Sequence, residues 1–301
     1  MSELPAVPTT RVLGQSGIII SSLAWGMWRF SGPADAARRL VDAALDIGIT
    51  LFDTADIYGF DGSGGFGGGE KLLGDLFAAD AGLRRRMVLA SKGGILPPLP
   101  YDSSAAYLGQ AIDASLQRLQ TDVIDLWQIH RPDILTHPQE VAGAVQKAKA
   151  AGKIRAVGVS NCTPAQIAAL QHFLDVPLAS TQPELSPLCI APFENGELDQ
   201  AMRMDMAVLA WSPLGGGRLA EPTNDRERAV VAALDAVAAA QDVGRTAAAY
   251  SWLMAHPARP IPIVGTQNVS RIREAADAFA VRWTRTSWYE VFVAARGEKL
   301  P

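Results

Sequence analysis

The chain has 301 residues, 49% hydrophobic and 19% charged, with a formal charge of -4 and two cysteines; that is enough apolar content to bury the core of one large α/β domain. It has no basic stripe of the kind nucleic acid requires, and no CxxC or Cys/His cluster on which disulfides or a structural zinc could be built. Met1 to Thr10 is Pro-rich without a charged segment leading into an apolar one, and no apolar run reaches about 18 residues, so a soluble, cytoplasmic protein with no membrane partner is expected.

Arg11-Val12-Leu13 and Gly17-Ile18-Ile19-Ile20 flank Gly14-Gln15-Ser16 as a short hairpin. Strand and helix patterns then alternate. They run strand 23–26, helix 34–47, strand 50–53, helix 70–79, strand 87–92, helix 104–119, strand 123–130 and helix 138–151. The second half continues with strand 154–160, helix 164–173, strand 178–182, helix 197–205, strand 206–211, a helical stretch 226–255, strand 261–265 and helix 270–279. Pro138 and Pro164 suit first helical turns, Thr163 is placed to cap one, and Gly48 and Gly152 stop helices. Strands separated by helices imply parallel βαβ units, and eight of them predict a closed (β/α)8 barrel occupying residues 1–301 as a single domain. Residues 284–296 carry Trp288, Val291, Phe292 and Ala295 at helical spacing. This predicts an extra C-terminal helix on the barrel exterior, its aromatic stripe serving as core.

Asp53, Lys92 and His130 stand where three successive apolar runs give way to polar residues, and Tyr58 follows the first of them closely. In a parallel barrel all such strand ends meet on one face. A Tyr hydroxyl titrates near pH 10 and is a poor acid at neutral pH. A neighbouring Lys92 ammonium, held by Asp53, is expected to lower it by roughly 2–3 units, about 3–4 kcal/mol of differential interaction. The same lysine leaves a second chemistry open, Schiff-base formation in an aldolase-like barrel.

Two glycine-rich stretches need separate readings. Gly62, Gly64 and Gly67 formally satisfy GxGxxG, but they lie beyond the polar Asp-Thr-Ala-Asp-Ile-Tyr segment rather than on the tight turn of a first strand, so a mobile loop gating the site beside Tyr58 is expected instead. No Walker motif follows, since Gly69 leads into Glu70-Lys71-Leu72. Ser212-Pro213-Leu214-Gly215-Gly216-Gly217 ends the seventh barrel strand, where barrels commonly bind phosphate, and successive glycine N–H groups there could form an anion nest.

Together, Phe52-Asp53-Thr54-Ala55-Asp56-Ile57-Tyr58-Gly59, the Leu116–Asp122 stretch leading to His130-Arg131-Pro132-Asp133, Gly158-Val159-Ser160-Asn161 and Trp211-Ser212-Pro213-Leu214-Gly215 resemble the aldo-keto reductase family, and specifically a bacterial branch of it. The likeness covers nearly the whole chain. It implies reduction of a small aldehyde or ketone with NADPH, NADH being possible. Tyr58 would be the proton donor, with Asp53, Lys92 and His130 completing the catalytic set. Ser160, Asn161 and Gln182 would hold the nicotinamide carboxamide and Trp211 would stack on the ring. Ser212, Leu214 and Gly216 would line the pyrophosphate, Arg271 would meet the 2′-phosphate, and Gly26, Met27, Arg218, Gly265, Thr266 and Gln267 would complete the cofactor contacts. Trp28 would wall the substrate pocket beside Tyr58 and His130. The chain departs from many relatives at Gln267 and Gly265, where they carry cations, and at Ala275, where they carry Asn. The resemblance also admits a regulatory subunit that holds cofactor with little turnover.

Overall fold

The computed structural model describes residues 3–60 and 64–300. Eight parallel strands close into a barrel: β3 (Ala24–Gly26), β4 (Leu51–Asp53), β5 (Val88–Gly93), β6 (Ile124–Ile129), β7 (Ile154–Ser160), β8 (Ser180–Gln182), β9 (Ala207–Ala210) and β10 (Ile261–Val264), with β10 pairing back onto β3 through Ile263 opposite Ala24. The hairpin of β1 (Thr10–Val12) and β2 (Ile19–Ser21) precedes the barrel. Its Leu13, Ile18 and Ile20 enter the barrel interior and pack with Ala24, Leu51, Ala90, Leu126, Leu209 and Ile263. The N-terminal end of the barrel is therefore filled by apolar side chains, which leaves the opposite end for polar groups. Gly14 permits this plug: its φ is +52°, and a Cβ there would lie 2.5 Å from the Ala179 carbonyl oxygen.

Helices α1 (Ala34–Asp46), α2 (Gly68–Ala79), α3 (Ala105–Leu119), α4 (Pro138–Ala150) and α5 (Pro164–Phe173) follow their strands in turn. Short α6 (Ala191–Glu194) and α7 (Glu197–Arg203) come next, then α8 (Asp225–Ala240), α9 (Arg245–Met254), α10 (Val269–Glu274) and α11 (Arg285–Arg296). Local chemistry sets several of these ends. Thr163 and Gln166 form a reciprocal capping box ahead of Pro164 in α5, satisfying N–H groups that the first turn leaves unpaired.

Residues 226–255 do not form one helical stretch. The chain breaks after α8, where Asp242 takes φ +54°, and Gly244 is extended ahead of α9. The Ala-rich pattern hid that interruption. The expected helix 270–279 likewise ends early, passing into a 3₁₀ turn at Ala275–Phe279. The C-terminal helix forms as expected, with Trp288 stacked on Trp252 of α9 at 4.9 Å. Each indole N–H donates to the other residue's carbonyl, at 3.0 and 2.9 Å, so the aromatic stripe is core. No described helix is long and apolar enough to cross a membrane.

Candidate active site

Asp53 ends β4, Lys92 lies near the end of β5 opposite Gln128 of β6, and His130 follows β6 directly. The register brings all three to one end of the barrel. Lys92 is fully buried; its Nζ donates to Asp53 Oδ2 at 2.6 Å and to the Thr54 carbonyl at 2.9 Å, and lies 5.0 Å from the centre of the Tyr58 ring. Tyr58 stands edge-to-face with His130 at 5.9 Å and with Trp28 at 5.1 Å. The four residues singled out at strand ends are thus neighbours, and Trp28, 51% exposed, stands at the rim over Tyr58.

Two glutamines complete the support of Asp53: Gln182, expected from the sequence to meet the nicotinamide carboxamide, and Gln128, not expected there. Asp53 Oδ1 accepts from Gln182 Nε2 at 3.0 Å and from Gln128 Nε2 at 3.3 Å, while the Gln128 side-chain oxygen accepts from Ser180 Oγ at 3.1 Å. A buried ion pair is tolerable only when the remaining lone pairs are satisfied in this way. Gln128 was visible in principle, because period-two alternation puts residues 126, 128 and 130 on one face of the strand. Beneath Tyr58 lies a second unforeseen network. Glu70, fully buried, accepts from Arg118 Nε at 2.8 Å and from Ser91, and Asp56 accepts from the Tyr107 hydroxyl at 3.2 Å.

These surroundings set the protonation states. Burial works against the Lys92 ammonium, but Asp53 and Tyr58 outweigh it and its pKa rises. Burial also outweighs the opposing pull of Lys92 on Tyr58, whose pKa is raised rather than lowered. That corrects the expectation from the residues alone: the phenol is held protonated, and Lys92 restrains the cost of burial instead of overcoming it. His130 is pushed well below its ordinary value, by burial first and then by Lys92 and Arg131. The result is a proton-bearing phenol beside a neutral imidazole, with a fixed ammonium behind the phenol. This arrangement can give a proton to a carbonyl oxygen and polarise it at the same time. A lysine held charged is the wrong state for a Schiff-base nucleophile.

The residues expected to meet a cofactor fall into three groups. Ser160, Asn161, Gln182 and Trp211 form one connected patch: Trp211 Nε1 donates to Asn161 Oδ1 at 2.9 Å, Asn161 Nδ2 to Ser160 Oγ at 2.8 Å, and Ser160 Oγ to the Gln182 carbonyl at 3.0 Å. Asn161 takes φ +57° to reach this position. Trp211 is half-exposed with its indole plane pinned, which suits stacking on a flat ring such as nicotinamide.

Around the glycine turn, Ser212 and Gly216 have φ of +50° and +68°. The N–H groups of Gly215 and Gly217 bond to the carbonyls of Ser212 and Leu214, making a wound turn rather than an open anion nest. Arg218 is committed to the buried Glu227 carboxylate at 3.0 Å, and Leu214 packs against the outer core.

In the third group, Gly265 and Arg271 are exposed, with open space where a Gly265 Cβ would stand. The Thr266 carbonyl accepts from Trp25, and Gln267 Oε1 is buried without a partner among the described residues. Gly26 meets Ile263 too closely to bear a side chain, and the Met27 side chain lies in the core between barrel and helices, not in the site. Of the loop expected to gate the site, residues 61–63 lie outside the described residues, and with them Gly62. Among the described residues no cluster of three potential metal ligands occurs.

Comparison with known proteins agrees with this geometry. A model of the aldo/keto reductase family matches residues 22–291. The chain is 65% identical to a 6-dehydroglucose reductase of Novosphingobium aromaticivorans over 100% of both chains. It is 37% identical to a protein of the same name from Agrobacterium fabrum, with 93% of this chain and 96% of the relative covered. The fold superposes on the solved structure of the thermostable aldo-keto reductase Tm1743 in complex with the inhibitor epalrestat, with a TM-score of 0.82 and 23% identity, covering 95% of this chain and 99% of that one. A matched family model across most of the chain, on a closed barrel with a Tyr, Lys, Asp and His gathered at one end, leads to one conclusion: the chain belongs to the aldo/keto reductase family of oxidoreductases.

Proposed function

We propose that this protein reduces the terminal aldehyde of a polyhydroxylated substrate to a primary alcohol, and that a hexose carrying its aldehyde at C6 is such a substrate. The observation that carries the chemistry is the buried Lys92–Asp53 pair against the Tyr58 ring, with neutral His130 edge-to-face with the same phenol. When bound, NAD(P)H supplies the hydride. Tyr58 gives its proton to the carbonyl oxygen, Lys92 stabilises the phenolate left behind, and the His130 ring holds that oxygen by an N–H bond. Ser160, Asn161 and Gln182 would orient the carboxamide against Trp211. The substrate class is supported by the 65% identical relative and its printed activity.

Arg271 is exposed and forms no side-chain bond or ion pair among the described residues, and by its position in the sequence it is the cation that would meet a 2′-phosphate. One charge-assisted contact contributes about 1.5–3 kcal/mol, so NADPH should be preferred by roughly 10–150-fold at most. Turnover should be followed with NADPH and with NADH on glucose-6-aldehyde and on an unsubstituted aliphatic aldehyde. Conversion of the hexose to glucose at far higher kcat/KM than the aliphatic control is expected. Tight cofactor binding with negligible turnover of every aldehyde would instead assign a regulatory role.

A further inference from the structure

Arg131 is a charged group at this end of the barrel that the proposed chemistry does not use. It follows His130 directly, is half-buried, and its Cζ lies 5.8 Å from the centre of the Trp211 ring. Among the described residues its guanidinium has neither a hydrogen-bond acceptor nor an ion-pair partner. The nearby Asp133 carboxylate is taken up by Ser103 N at 3.0 Å, Leu135 N at 2.9 Å and Thr136 Oγ1 at 2.7 Å.

The charges of the catalytic centre itself are compensated. Lys92 is paired with Asp53 and Arg118 with Glu70, while burial keeps Asp56 protonated, its pKa pushed up to about 8, and keeps His130 neutral. The Arg131 guanidinium, against the indole, has no such partner among the described residues. Its charge also lowers the pKa of both Tyr58 and His130, though less than Lys92 does.

We propose that Arg131 sets the charge preference of the cofactor site, favouring the neutral reduced nicotinamide over the cationic oxidised one. The inference rests on the reading of Trp211 as the nicotinamide platform. The reduced ring is an uncharged dihydropyridine and the oxidised ring a pyridinium, so the two cofactor forms differ at this ring by one positive charge. A fixed guanidinium against the same indole leaves the first almost untouched and repels the second. For unit charges separated by several ångströms in a partly solvated site, that repulsion corresponds to roughly 5–30-fold in affinity. Arg131 makes no contact with reacting atoms in this account. It acts through the field on the ring, speeding loss of the spent cofactor and biasing the enzyme toward reduction.

The test is the ratio of dissociation constants for NADP⁺ and NADPH, measured calorimetrically in the native protein, Arg131→Met and Arg131→Lys. The same fragment lacking nicotinamide, 2′-phospho-ADP-ribose, serves as a folding control. Arg131→Met should tighten NADP⁺ by about 5–30-fold relative to NADPH, Arg131→Lys should keep most of the native ratio, and the fragment should bind all three alike. Added salt should shrink the native ratio. An unchanged ratio in Arg131→Met, or equal weakening of both cofactors, overturns the proposal while leaving the reductase reading intact. Failure of the native protein to bind either cofactor overturns both.

Discussion

In the proposed reaction Lys92 carries two duties that a single substitution separates poorly: it would hold the charge against which Tyr58 loses its proton, and it pairs with the buried Asp53. Lys92→Met should therefore lower kcat at least as far as loss of the phenol does. It should also destabilise the fold by about 3–5 kcal/mol, because Asp53 is left buried and charged. Adding Asp53→Asn should recover much of the stability and none of the turnover, a split that denaturant titration and steady-state kinetics read independently. Borohydride treatment of the native enzyme with a carbonyl ligand should leave the mass of Lys92 peptides unchanged; a substrate-derived adduct there would favour imine chemistry. Asp53, Lys92 and His130 were legible because each is a polar residue closing an apolar run. The upward shift of Tyr58 was not, since burial on all sides belongs to the packed barrel and leaves no mark in the residues around position 58.

At the scale of elements, the turn after β4 is tied to α3 by the Asp56–Tyr107 hydrogen bond at 3.2 Å. Burial first and then Glu70 raise the Asp56 pKa to about 8, whereas the unfolded chain titrates near about 4. The folded state thus keeps a proton that the unfolded state has released. Stability is fully present below about pH 4, falls as pH rises, and levels off above about pH 8. Asp56→Asn mimics the protonated acid and should abolish this decline, its advantage over the native protein growing from about 1 kcal/mol near pH 5 to about 5 kcal/mol above pH 8. Parallel pH dependence of the two proteins in chemical denaturation would contradict the assignment.

Helix starts were readable where capping residues announced them, as at Thr163 and Pro164. The division of residues 226–255 into α8 and α9 was hidden by an Ala-rich background, in which Asp242 and Gly244 were the only punctuation.

Across the whole molecule, the hairpin plug and the polar strand ends divide the barrel into a structural end and a chemical end. Ile20, fully buried in the plug, should cost about 2–5 kcal/mol when replaced by Ala, with kcat/KM unchanged at temperatures where the variant is folded. A matching fall in kcat/KM would mean the two ends are coupled. The eight-unit alternation made the barrel and its polarity legible. The reach of the site beyond its four central residues was less so, because the Glu70–Arg118 and Gln128–Asp53 bonds join residues 48 and 75 positions apart.

The proposed chemistry turns on Tyr58 as the proton donor in carbonyl reduction. Single-turnover oxidation of bound NADPH by excess aldehyde, followed in native protein and Tyr58→Phe, tests it most directly, since product release does not enter the observed rate. Tyr58→Phe should leave NADPH affinity nearly unchanged and lower the hydride-transfer rate by about 10²–10⁴-fold. A near-native single-turnover rate in Tyr58→Phe would contradict it.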